Sequence, residues 1–305
     1  MLPFASVAAQ EAAGGDFITH HITDSYMLEV PTLTPPFATE ICLGKHVGEH
    51  GCVSPIDDFH IDFGLFTLSG NLWPTKHTVM LALAATIMAL ILVLAARAAR
   101  RQTSEHGHSK GFAGAIEAVV VYLRNEVILP NVGHHGEAFV PYLLGVFFFI
   151  LGANLLGMIP YAATATGNIA VTATLAILTF LVIEISGIVA NGFGYLNTII
   201  YWNTELSLPL RVPLAIIVSP IEMIGKLTKP FALAIRLFAN MTAGHIVILA
   251  LIGLIFSFGS YAIAGAPVLM AVAINLLELM VAFLQAFIFT MLASVFIGQV
   301  REAHH

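Results

Sequence analysis

The chain has 305 residues, of which 58% are hydrophobic and only 10% are charged, with a mean hydropathy of +0.90. A water-soluble domain carries about 25% charged residues, so the solvent for most of this chain is lipid. The net charge of −6 arises largely in the N-terminal third, and it gives no argument for nucleic acid as a partner.

Residues 1–74 read as an extracytoplasmic N-terminal segment and residues 75–305 as a helical membrane domain. The first segment carries acids such as Asp16, Asp24, Glu29, Glu40, Asp57 and Asp62, with Lys45 as its one Lys or Arg up to residue 70. Pro31, Pro35, Pro36 and Pro55 break it into extended and turn pieces. Met1 to Gln10 resembles the end of a secretory signal in its small residues Ala5, Ser6, Ala8 and Ala9, without a basic start. Cys42 and Cys52, in a compartment expected to be oxidising, are disulfide candidates. His20, His21, His46, His50 and His60 lack regular metal-ligand spacing, so no metal site is expected.

Five hydrophobic spans follow, predicting an all-α membrane protein with five crossing helices and one surface helix. Thr78 to Ala96 is uncharged over about one membrane thickness and ends in Arg97, Arg100 and Arg101. That basic cluster belongs on the cytoplasmic side, which places the N-terminus outside. Gly111 to Leu129 carries Glu117, Arg124 and Glu126 among apolar residues and reads as an amphipathic helix on the cytoplasmic surface. Ala138 to Ile183 has no charge, and Pro160 and Gly167 divide it into a helical hairpin of about 138–159 and 168–190. Residues 191–208 form a return loop. Two long apolar stretches, about 212–258 and 267–300, would be roughly 70 Å and 50 Å long as helices. The hydrocarbon core is about 30 Å thick. Either Pro220 and Pro230 break the first, or both helices are steeply tilted; steep tilt with Pro-induced bends is the favoured expectation. Five crossings put the C-terminus inside. No internal repeat is found, which disfavours a transporter made of two like halves.

The polar residues of the last two stretches are sparse. From Leu237 to Leu277 the one Asp, Glu, Lys, Arg or His is His245. Just before it, Arg236 carries a charge it cannot shed. Placing that charge in a membrane costs about 2.5–3.5 kcal/mol even on lenient scales, so it should face water or another subunit's carboxylate. Asn240 lies one turn on, on the same face as Arg236. His245 lies about 180° around and about 13 Å along, on the opposite face. Glu278 and Gln285, seven apart on the last helix, share a face. A neutral imidazole beside a carboxylate can take up and pass a proton, so His245 and Glu278 could form one proton-accepting pair. Upstream, Glu222 is nearly aligned with Arg236 and four residues from Lys226; it reads either as part of a cytoplasmic proton exit or as one end of a plain ion pair. Glu184 either lines that exit or marks the membrane boundary. Asn240 and Gln285 could equally be interhelical hydrogen-bond glue.

The run Arg236-Leu237-Phe238-Ala239-Asn240-Met241, followed by Ala243-Gly244, resembles the signature of subunit a of F-type ATP synthases. Leu284-Gln285-Ala286-Phe287-Ile288-Phe289 resembles the family's second signature, and the likeness covers about 75–301. It implies a stationary proton-translocating subunit with two offset half-channels and Arg236 between them. Asn240 and Gln285 would be the arginine's polar neighbours. His245 and Glu278 occupy the outer half-channel positions, where many bacterial members have Glu first and His second; here the types are exchanged. The implied partners are a rotor ring of small two-helix c subunits, peripheral-stalk b subunits and membrane lipid, in a bacterial inner membrane. The chain lacks a Walker-type glycine loop, so no ATP, no cofactor and no enzyme activity of its own are expected. The alternatives are a self-contained proton-coupled transporter, which needs its own carboxylate opposite Arg236, and a structural scaffold, which leaves Arg236, His245 and Glu278 unexplained.

Overall fold

Long runs of apolar residues in lipid must satisfy every backbone group internally, and the helix is how a single segment does so. In the computed structural model, described over residues 27–31, 38–43, 45–47, 51–53, 59–62, 67–70, 75–106, 110–133, 136–159, 164–195, 208–258 and 265–302, seven α-helices are seen. They are α1 (Lys76–His106), α2 (Gly111–Tyr122), α3 (Leu129–Val132), α4 (Val140–Gly157), α5 (Ile169–Asn191), α6 (Leu208–Phe258) and α7 (Gly265–Glu302). Among the described residues five segments are long and apolar enough to cross a membrane: Lys76–Gln102, Gly136–Gly157, Ile169–Asn191, Ile216–Leu251 and Gly265–Arg301. The all-α membrane architecture expected from the sequence is therefore present.

The expected amphipathic helix is separate from those five. A π-helical turn, Leu123–Ile128, joins α2 to α3. Pro130 supplies the local cause, because it has no N–H to bond back to the preceding turn and its ring crowds that turn's carbonyl. Gly133, at φ 74°, ends α3 in the left-handed region. Helix α6 runs unbroken for 51 residues through Pro213, Pro220 and Pro230, so prolines do not cut it into pieces. At 1.5 Å per residue α6 is about 76 Å long and the 38-residue α7 about 57 Å, both well beyond the hydrocarbon thickness.

The described residues of the N-terminal segment form three antiparallel strand pairs. β1 (Met27–Pro31) pairs with β2 (Ala38–Cys42), β3 (Lys45–Val47) with β4 (Gly51–Val53), and β5 (Phe59–Asp62) with β6 (Thr67–Gly70). Cys42 and Cys52 are joined by a disulfide, with Cα atoms 5.7 Å apart, tying the end of β2 to β4. The signal-like residues 1–10, His20, His21 and His50 lie outside the described residues, as do the side chains of His46 and His60.

Backbone contacts divide the chain into two units. One holds Met1–Met88, Leu151–Asn168 and Ala239–Phe283; the other holds Ala89–Ile150, Ile169–Phe238 and Leu284–His305. In the second, Ile128, Val132, Val140, Leu143, Ile183, Ala293 and Ile297 form the core. Small residues let helices close in: Gly298 of α7 packs directly on the carbonyl of Asn131 in α3, and Gly187 of α5 on Val300 and Tyr195. In the first unit, Gly152 admits Met88, and Met80 packs with Ala165.

Candidate functional site

Helix α7 buries one stripe: Glu278, Ala282, Gln285, Ala286, Phe289, Thr290, Ala293, Ser294 and Ile297. The 3.6 period puts Glu278 on it, so an acid is carried inward among small and apolar residues. Glu278 is only 4% exposed, and its Oε1 has no hydrogen-bond partner among the described residues. The group it meets is Gly244 of α6. A Cβ at position 244 would lie 2.9 Å from Oε1, 3.0 Å from Cδ and 3.4 Å from Oε2 of Glu278. His245, half-buried, follows directly on the same helix.

A second polar chain belongs to this unit. Thr166 donates to Asn154 Oδ1 at 2.8 Å, and Asn154 Nδ2 donates to the Ala282 carbonyl at 3.4 Å, one turn on from Glu278. Thr242 donates to the Gly167 carbonyl at 3.5 Å, and Thr164 to the Gly157 carbonyl at 3.1 Å. Asn154 and Thr166 are fully or almost fully buried. Sequence reading gave them no role, because an isolated Asn or Thr in an apolar run carries no local signal.

Arg236 lies on α6 where the helix turns its exposed face outward, while Leu233, Ala234, Leu237 and Met241 are buried. Among the described residues it makes no ion pair. Asn240, one turn further, is exposed as well. The face expected from the 100° step is thus the open one, and the residues after it turn Gly244 toward α7. Gln285 is 5% exposed, on the same buried stripe as Glu278. The side chain of Glu222 lies outside the described residues.

The second unit contains a cavity of about 130 Å³ between α5, α6 and α7. Its polar lining is Thr179, Glu184, Lys226, Lys229 and Gln299. Tyr195 donates its hydroxyl proton to Glu184 Oε2. Lys226 Nζ donates to the Tyr195 hydroxyl at 3.3 Å and stands 4.7 Å from the centre of its ring. Lys229 Nζ donates to Gln299 Oε1 at 3.4 Å and lies 4.7 Å from the centre of the Phe296 ring. The sequence left Glu184 between two readings and did not single out Tyr195, Lys229 or Gln299.

Residues 78–298 match the protein family described as ATP synthase A chain. ATP synthase subunit a of Chloroherpeton thalassium is 51% identical, over 73% of this chain and 65% of its own length. ATP synthase subunit a 2 of Chlorobaculum tepidum is 45% identical over 95% of this chain and 74% of its own, and subunit a of an Anaeromyxobacter species is 42% identical over 98% and 73%. The chain spans 65% to 74% of the length of these relatives. An arginine on the open face of one very long helix, a buried acid on the next and a match across nearly all of the membrane region agree: the chain belongs to the ATP synthase subunit a family.

Proposed function

We propose that this chain is the stationary, proton-translocating membrane subunit of an F-type ATP synthase, with Arg236 separating two offset half-channels against a rotor ring. The observation that carries the reading is Arg236 itself: a permanent cation in a membrane-spanning helix, exposed, with no ion pair among the described residues. Such a charge costs several kcal/mol in lipid (~2.5–3.5 at the least), and a carboxylate supplied by another subunit offsets that cost. A self-contained transporter would instead place its own carboxylate against Arg236. Protons enter from outside by His245 and Glu278, neutralise a rotor carboxylate, and leave inward when that carboxylate returns to Arg236. Burial of Glu278 against Gly244, next to His245, supports the entry side. Asn240 lies one turn from Arg236 on the open face, and Gln285 lies in the packed stripe of α7; the part of polar neighbour to the arginine is assigned to both by the family resemblance. Glu222 is the exit candidate from spacing alone. The partners are a ring of c subunits, the b subunits of the peripheral stalk and lipid; the subunit binds no ATP and is not an enzyme by itself. The N-terminus lies outside and the C-terminus in the cytoplasm.

The test is replacement of Arg236 in the intact complex. Arg236→Ala should leave the complex assembled and abolish ATP-driven proton pumping. Arg236→Lys should fail too, because an ammonium does not reproduce the guanidinium fork. Normal pumping in either assembled protein refutes the role.

A further inference from the structure

The cavity between α5, α6 and α7 is not accounted for by the residues assigned so far. Counting crossings along α1, α4 and α5, the C-terminal end of α5 lies on the side of Arg97, Arg100 and Arg101, and Glu184 and Tyr195 are at that end. The cavity follows one face of α6 through Lys226, Lys229, Pro230 and Leu233. Arg236 begins the next turn, about 4.5 Å further along the axis. The space therefore ends one turn short of the arginine on the inner side. Its volume of about 130 Å³ is large enough for several waters, and Thr179, Glu184, Lys226, Lys229 and Gln299 offer polar partners on its wall.

We infer that this cavity is the inner water-filled vestibule and that Glu184 is its proton-exchanging group, positioned by Tyr195 and Lys226. The inference rests on the proposed function above and gives the inner path a carboxylate other than Glu222. The geometry is specific. Tyr195 occupies Oε2 of Glu184, which leaves Oε1 without a hydrogen bond among the described residues, and Glu184 is part of the cavity wall. Lys226 contributes a hydrogen bond to the hydroxyl oxygen and a cation over the ring, so the hydroxyl proton is directed at Glu184. Gly187, whose Cβ would lie 2.6 Å from Tyr195 Cε2, is what admits the ring at this place. In the step itself, a hydronium in the vestibule transfers its proton to the ionised carboxylate and becomes water. The carboxyl then returns the proton to water on the inner side. No other bond changes, and the reverse sequence serves the opposite direction of flux.

The competing account is a purely structural clamp that ties Tyr195 to α5 and α6. Glu184→Gln separates the two, because the amide oxygen still accepts from Tyr195 but cannot exchange a proton. Glu184→Asp keeps the acid while shortening the clamp. Proton flux is measured in inverted vesicles carrying the intact complex, beside Arg236→Ala. Exchange predicts that Glu184→Gln lowers flux by about tenfold or more, with Glu184→Asp recovering to within a few-fold. Wild-type flux in Glu184→Gln, or a worse defect in Glu184→Asp than in Glu184→Gln, overturns the inference. If Arg236→Ala pumps normally, the parent reading is what fails. If Arg236→Ala is dead while Glu184→Gln is normal, only the role of Glu184 fails. Should Glu184→Gln not assemble, Leu233→Cys tests the vestibule directly. Silver ion added on the inner side should block its flux relative to its own untreated rate, and insensitivity means the cavity is dry and the inference is wrong.

Discussion

Gly298→Ala places one methyl group against the backbone of the helix beneath it. Its Cβ would lie 2.0 Å from the Asn131 carbonyl oxygen and 3.4 Å from the Val132 Cα, whereas real Cβ contacts stay above 3.0 Å. Helices α7 and α3 must therefore part by at least 1 Å. The obstructing atom is backbone, so no rotamer change relieves it, and Asn131 is further held by its own side chain, which donates to the Val127 carbonyl at 2.6 Å. The parting opens the contacts of Ile128, Val132, Ala293 and Ile297, all of them 0–1% exposed. Overpacking of this kind costs about 1–3 kcal/mol, and the backbone origin puts this site at the upper end. Alanine returns up to about 1 kcal/mol through helix propensity. A net loss of about 2 kcal/mol is expected, or roughly 4–8 °C in the midpoint of thermal unfolding. Gly145→Ala is the matched control: it is a helical glycine with nothing within 4 Å of its Cβ, and it should gain about 0.5–1 kcal/mol. The assay is graded heating of the purified complex in detergent, followed by measurement of the subunit retained. Equal or greater stability of Gly298→Ala relative to Gly145→Ala would refute the packing argument.

Gly244→Val, which forces the Glu278 carboxyl off its position, should slow ATP-driven proton uptake by about tenfold with the complex intact; an unchanged rate would separate Glu278 from proton entry. His245→Glu combined with Glu278→His should recover part of what either single change loses, since one acid and one imidazole remain. A double-mutant cycle on proton flux reads this coupling, and additive losses would show two independent groups. Asn154→Ala strips Thr166 of its acceptor inside the core and should cost about 1–3 kcal/mol, read as earlier loss of the subunit on heating. Cys42 and Cys52 should react with an impermeant thiol reagent only from outside and only after reduction; labelling from the cytoplasmic side would reverse the topology.

Local pattern was enough for much of this protein. The lengths of the apolar runs set the five spans, because the bilayer imposes about 20 apolar residues per crossing. The 100° step set Arg236 with Asn240 on one face and Glu278 with Gln285 on another, because helical periodicity needs no knowledge of neighbours. The sequence left a break at Pro220 and Pro230 open while favouring a single tilted helix, and α6 is one helix through both prolines: one lost backbone bond and a crowded carbonyl are local penalties that the rest of the helix outweighs. Strand pairing at the N-terminus was hidden, since extended residues reveal their partners only across a ladder. The tertiary structure alone decided that Gly244 is what Glu278 meets. It alone joined Glu184, Tyr195 and Lys226, whose positions in the chain give no sign that they meet, through two hydrogen bonds at the wall of one cavity. A side chain's direction on its own helix is written in the sequence; its neighbour on the next helix is chosen by packing, where a missing Cβ decides which backbones can touch.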